Sequence, residues 1–212
     1  MQRRSIELAV RPFGQPEAQC GNTSLRMVCW YHGLRRRPTI REIAQLAHTT
    51  SDGTDHAGLI RAARTLGATV FSKSGGKLSE LRWFLEQGLP AIVGWWSMDA
   101  GDLPFDPRWT LAERRRRDCG HFSVVAGMTD HTVRIVDPQW YQRENHHLAV
   151  VGNVDVPRAR FLATWYDTDT SAFTLVKRWY MVVNFAAMSF ADRIPGGRDY
   201  APIRSSFAAG GH

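Results

Sequence analysis

The apolar period changes once along this chain, and that change constrains the fold more than any other feature. Up to about residue 67 apolar residues recur at helical spacing; beyond it most recur at every second residue. In "NTSLRMVCWYHG" the helical face carries Leu25, Val28 and Cys29, and Gly33 ends the run. In "PTIREIAQLAH" Thr39 is placed as N-cap, with Glu42 three residues on to complete a capping box. "SDGTDHAGLIRAARTLG" gives a third helix with Leu59, Ile60, Ala63 and Leu66 on one face and Gly67 as its stop. After the change, "ATVFSKS" reads as a strand, "KLSELRWFLEQG" as a fourth helix and "LPAIVGWW" as a central strand. "HFSVVAGMTD" and "HTVRIVDPQW" form a hairpin turning at Thr129 to His131. "RFLATWYD" reads as helical and "RWYMVVNFA" as a closing strand. Helices followed by mainly antiparallel strands predict an α+β fold. The expected organisation is one domain over residues 1–191 and a mobile tail over 192–212, rich in Gly, Pro, Ala and Arg. Residues 97–118 are a long connection of the kind that forms lids and binding loops.

The 212 residues suffice for a real core, and no apolar run approaches the roughly 20 residues that cross a bilayer. The N-terminal stretch carries no secretory pattern, and three cysteines suggest reduced thiols rather than a disulfide framework, so a cytoplasmic setting is expected. The net charge of +7 favours an acidic partner. The basic runs at 35–37 and 114–117 lie in no DNA-reading motif, so nucleic acid is not the expected partner. A peptide or protein substrate, with a preference for acidic ones, fits better. Oligomeric state is left open by the sequence.

Cys20 stands at the start of the first helix, where unpaired amides and the helix dipole favour a thiolate. Gln15 lies five residues upstream, and its amide could join the Cys20 backbone N–H in holding an oxyanion; it is preferred over Gln19. His121 opens the first strand of the hairpin and Asp137 closes the second, so an antiparallel register brings them to one end of the sheet. Thiolate, imidazole, carboxylate and oxyanion donor make a nucleophilic set. Gly21 and Gly120 are expected to leave room for substrate beside Cys20 and His121, and Trp95, Trp96 and Trp140 to wall a peptide groove. Cys119 with His121, His146 and His147 matches no zinc spacing, so neither metal nor other cofactor is expected. His32, His48 and His56 read as polar turn residues.

With these residues in order, the chain resembles the papain-like cysteine peptidases that process bacteriocin and double-glycine leader peptides. The matching stretches are "Q....CGNTSLRMVCWYHG", "TSDGTDHAGLIRAARTLGATV", "LPAIVGW", "GHFSVVAGM", "IVDPQW" and "FLATWY", running from about residue 13 to 184. The resemblance implies a papain-like fold with Cys20, His121 and Asp137 as the catalytic set and Gln15 in the oxyanion hole. Exporting members of that family usually precede a membrane ABC transporter. This chain shows neither membrane helices nor an ATP-binding motif, and it resembles a standalone soluble form. Two other readings use the same groove: an acyl or peptidyl transferase working through the same thioester, and a domain that binds a leader peptide without cutting it.

Overall fold

The computed structural model describes residues 5–96, 120–139, 152–169, 174–186 and 188–204. Among them the helices are α1 (Cys20–Tyr31), α2 (Ile40–Ala47), α3 (His56–Thr65), α4 (Leu78–Glu86) and α5 (Arg158–Thr164). The strands are β1 (Ile6–Glu7), β2 (Thr69–Lys73), β3 (Ala91–Trp96), β4 (Gly120–Met128) and β5 (Thr132–Val136), then β6 (Asn153–Pro157), β7 (Tyr166–Asp169), β8 (Thr174–Lys177), β9 (Tyr180–Asn184) and β10 (Arg198–Tyr200). The α+β expectation holds. The main sheet runs β10-β2-β9-β3-β4-β5-β6 with β1 added to β4, every pairing antiparallel, and β7 and β8 form a separate ribbon.

Alternation along the strands divides the core in two. Val70, Ile92, Val124, Ala126 and Met181 pack with Leu25, Val28 and Leu59 of α1 and α3. Phe71, Val93, Trp95, Val125, Ile135 and Val182 pack with Leu81 and Phe84 of α4 and Phe161 of α5. The helix signals behave as their chemistry requires. Thr39 accepts from the Glu42 N–H while Glu42 accepts from the Thr39 N–H, a complete capping box, and the Asp55 side chain caps α3 through the Gly58 N–H at 2.5 Å.

The segment expected to be a free tail begins inside the fold. Within 192–204 Ile194 is buried, and β10 pairs with β2 through Arg198–Ser72, Asp199–Phe71 and Tyr200–Val70. Asp199 accepts from Ser189 Oγ and from the Phe190 and Ala191 amides, which closes the turn that returns the chain to the sheet. Gly, Pro and Arg content predicted mobility, but backbone pairing is blind to composition and one carboxylate organises the turn. The expected connection at 97–118 lies outside the described residues.

Candidate active site

Cys20 is the first residue of α1 and is partly exposed. No side chain caps the helix start; Gln19 holds the cap position and its carbonyl accepts from the Thr23 N–H at 2.9 Å. The amides of the first turn therefore remain oriented toward a negative sulfur. Behind Cys20 a buried polar cluster fixes the helix end: Asn22 Nδ2 donates to Thr49 Oγ1 at 2.9 Å, Thr54 Oγ1 donates to Asn22 Oδ1 at 3.2 Å, and the two threonine hydroxyls meet at 2.6 Å. One turn further on, Ser24 Oγ donates to the Phe122 carbonyl at 3.0 Å, which ties α1 to the residue beside His121. The sequence reading passed over Asn22 and Ser24, because a buried polar side chain in an apolar run declares no partner.

The β4–β5 hairpin supplies the imidazole and carboxylate. Its register pairs Val124 with Val136, so Ser123 faces Asp137 one step on and His121 lies diagonal to it on the same face. His121 Nε2 donates to Asp137 Oδ1 at 2.8 Å, and the same oxygen accepts from the Gln139 N–H at 2.8 Å. The other carboxylate oxygen accepts from Ser123 Oγ at 3.3 Å, and Ser123 Oγ accepts in turn from Trp95 Nε1 at 2.9 Å. Cys20 lies close enough to His121 to favour its charged form, and with Nε2 committed to Asp137 the ring nitrogen left for the sulfur is Nδ1. Burial alone would lower the His121 pKa, but the Asp137 carboxylate and then Cys20 outweigh it and carry it up to about 10. His121 is thus an imidazolium at neutral pH, placed between a carboxylate and a sulfur.

Ser123 is the functional neighbour that the sequence reading missed. It is fully buried inside a run of β-formers, and only the register shows that it meets Asp137. Ser123→Ala should lower kcat by about threefold to tenfold with KM unchanged, because one donor to the orienting carboxylate is lost. It should also lower stability by about 1–2 kcal/mol, because Trp95 Nε1 loses its buried acceptor. Steady-state kinetics beside a denaturant titration separates the two effects.

Gln15 is brought to the site by its own N–H, which donates to the Pro138 carbonyl at 2.9 Å beside Asp137. Its Oε1 is buried without a partner, so the side-chain amide is not committed to the protein through that atom. Gln19 differs: its Oε1 accepts from Asn22 Nδ2 at 2.5 Å, which occupies it in the cap region. Three expected substrate contacts need correction. A Cβ at Gly21 would meet Leu59 and Phe122 at 3.1 Å, so the missing side chain admits core and not substrate. Trp95 is 6% exposed, packs at 6.3 Å from Phe161 and donates to Ser123; it supports the site from behind. Trp96 is 2% exposed and is likewise no open groove wall. Gly120 is exposed at the start of β4, opposite Trp96. Trp140, Cys119, His146 and His147, with the arginine run at 114–117, lie outside the described residues.

The Peptidase_C39-like family matches residues 7–173, most of the chain and all of the constellation above. The chain belongs to the Peptidase_C39-like family. No curated protein matches it in sequence. Among solved structures, a C39-like protein from Bacillus anthracis is similar at TM-score 0.58 and 17% identity, covering 88% of this chain and 100% of that one. The peptidase domain of Streptococcus ComA, a bi-functional ABC transporter of a quorum-sensing pathway, gives TM-score 0.56 at 18% identity, covering 82% of this chain and 97% of that one. A double glycine motif protease from an AMS/PCAT transporter, solved with its leader peptide, gives TM-score 0.51 at 18% identity, covering 84% and 92%. At such identities these likenesses establish the C39 papain-like fold. The family supports a peptidase-type function. No helix among the described residues is long and apolar enough to cross a membrane.

This C39-like chain carries a second His–Asp cluster beside the first. His56, expected as a turn residue, is the buried first residue of α3. Its Nε2 meets Asp167 Oδ2 at 2.8 Å, its Nδ1 lies 3.4 Å from Asp169 Oδ2, and its ring stacks on Trp179 at 4.0 Å. A Cβ at Gly94 would overlap the Asp167 carboxylate, so β3 has a glycine where β7 crosses it. Burial opposes the charge on His56, but the two carboxylates dominate and raise its pKa to about 9. That value lies above the ~6.5 of an unfolded histidine. The stabilisation is therefore full below about pH 6.5 and is lost as the pH rises through about 9. His56→Gln should cost about 3 kcal/mol at pH 6.5 by removing the cation beside the buried Asp167, with a deficit that shrinks toward pH 9. Thermal unfolding of both proteins across that range checks it.

Proposed function

We propose that this chain is a cysteine peptidase that cleaves a peptide bond through a thioester on Cys20. The observation that carries the reading is the continuous contact from Asp137 through His121 to Cys20, with the sulfur at the open start of a helix. The Cys20 thiolate attacks the substrate carbonyl carbon. The resulting oxyanion is held by the Cys20 backbone N–H and the Gln15 amide. As the C–N bond breaks, His121 Nδ1 delivers its proton to the leaving amine and a thioester remains. The neutral imidazole then takes a proton from water, whose oxygen attacks the thioester; the peptide acid leaves and the thiolate–imidazolium pair is restored. Asp137 fixes the ring throughout, with Ser123, Gln139 and Trp95 behind it.

For the substrate the reading takes its support from one fold relative. It is a double glycine motif protease solved with a leader peptide, so a leader-type peptide is the first substrate to offer. The test is acyl-enzyme trapping. A peptide thioester ending in two glycines, quenched in acid and mapped by mass spectrometry, should leave an acyl group on Cys20 that vanishes with time in water. An acyl group on no cysteine, or on Cys29, contradicts the proposal. Acyl groups appearing on an added amine in preference to water would assign the same thioester to transfer.

A further inference from the structure

Three arginines gather about Phe13 and Trp30, toward the C-terminal end of α1. The guanidinium carbons of Arg37, Arg11 and Arg26 lie 3.9, 5.4 and 5.9 Å from the centroid of the Trp30 ring. Arg26 and Arg11 also lie 4.6 and 5.4 Å from the Phe13 ring, and Phe13 meets Trp30 edge to face at 5.1 Å. Among the described residues none of these three arginines has a carboxylate within ion-pair distance; neighbouring Arg36, by contrast, is paired with Glu42. Arg26 Nε and Trp30 Nε1 are buried without an acceptor. The structure thus gathers three cations on two rings and leaves buried donors beside them unmet.

The end of the α1 dipole supplies roughly half a negative charge, too little to balance three guanidinium groups. The two rings hold the three groups near one another. A fixed guanidinium edge matches a carboxylate in a paired, two-point geometry. The array is near the site along the chain: Phe13 is two residues before Gln15, and Arg26 and Trp30 lie roughly 9 and 15 Å along the helix from Cys20 at the α-helical rise. An extended peptide at about 3.3 Å per residue covers that span in about three to five residues.

We propose that this arginine–aromatic array docks an acidic segment of the peptide substrate, about three to five residues from the bond presented to Cys20. The proposal rests on the peptidase reading for its substrate, while the surface itself is defined by the arginines alone. Its test is the binding of fluorescein-labelled hexaglutamate to the native protein by anisotropy, with hexalysine and hexathymidylate as comparisons. Hexaglutamate should bind, weaken with added salt, and lose about fivefold in affinity for each of Arg26→Gln and Arg37→Gln. The alkylation rate of Cys20 should be the same in both variants, which shows that the helix and its site are intact. Hexaglutamate affinity that survives the double substitution overturns the proposal, as does tighter binding of hexathymidylate that the same substitutions abolish. An unreactive Cys20 in native protein that still binds hexaglutamate through these arginines would instead overturn the peptidase reading and support the docking surface.

Discussion

Cys20→Ala should remove peptide hydrolysis, with kcat/KM falling by on the order of 10⁵-fold, while the protein remains folded. The loss is large because nucleophile and imidazolium act as a unit, and no other described thiol can substitute. Cys29, the other described cysteine, is fully buried two and a half turns along the same helix, and burial pushes its thiol up to about 12. Cys29→Ala should therefore keep the activity and lose about 1 kcal/mol of stability as a small buried apolar group. Hydrolysis of a leader-type peptide by the two variants at matched concentration checks both. Comparable activity in Cys20→Ala would mean that the chemistry lies elsewhere.

Asp137→Asn should lower kcat/KM at neutral pH by on the order of a hundredfold to a thousandfold. It should also move the alkaline limb of the profile. In the native protein His121 stays protonated up to about pH 10, because Asp137 and Cys20 outweigh its burial. Asparagine keeps the shape and removes the charge, so burial gains the upper hand and the imidazolium is lost at much lower pH. The native protein should then work up to about pH 10, and the variant should lose activity with rising pH from a point well below that. A limb that stays in place in Asp137→Asn would mean that a different group limits the rate.

The helices were legible because their signals are local. A capping box at Thr39 and Glu42 and a glycine stop such as Gly33 or Gly67 each act within about one turn. That His121 and Asp137 meet at one end of the hairpin was also legible from the short turn at Thr129 to Thr132, but a bulge between Val125 and Gly127 shifts the register by one residue, and that shift puts Asp137 on the face of His121. What escaped depends on contacts far apart in sequence. Ser123 could be seen to meet Asp137 only once the register was known, and Trp95 turned inward because Phe161, from a helix 66 positions away, lies against it. His56 looked like a turn residue until β7 brought Asp167 to it across 111 positions. β10 holds only three residues with no apolar alternation, and its place beside β2 rests on backbone pairing and on Asp199 closing the turn.

The central claim is a reactive thiolate at Cys20 maintained by His121. The rate of iodoacetamide alkylation of each cysteine, resolved by mass spectrometry from mildly acidic to alkaline pH in native protein and in His121→Ala, tests it most directly. Fast alkylation of Cys20 at mildly acidic pH, with Cys29 untouched and the fast reaction absent in His121→Ala, is the predicted result. A Cys20 that reacts slowly, with the rising profile of an ordinary thiol and no response to the loss of His121, would contradict the account.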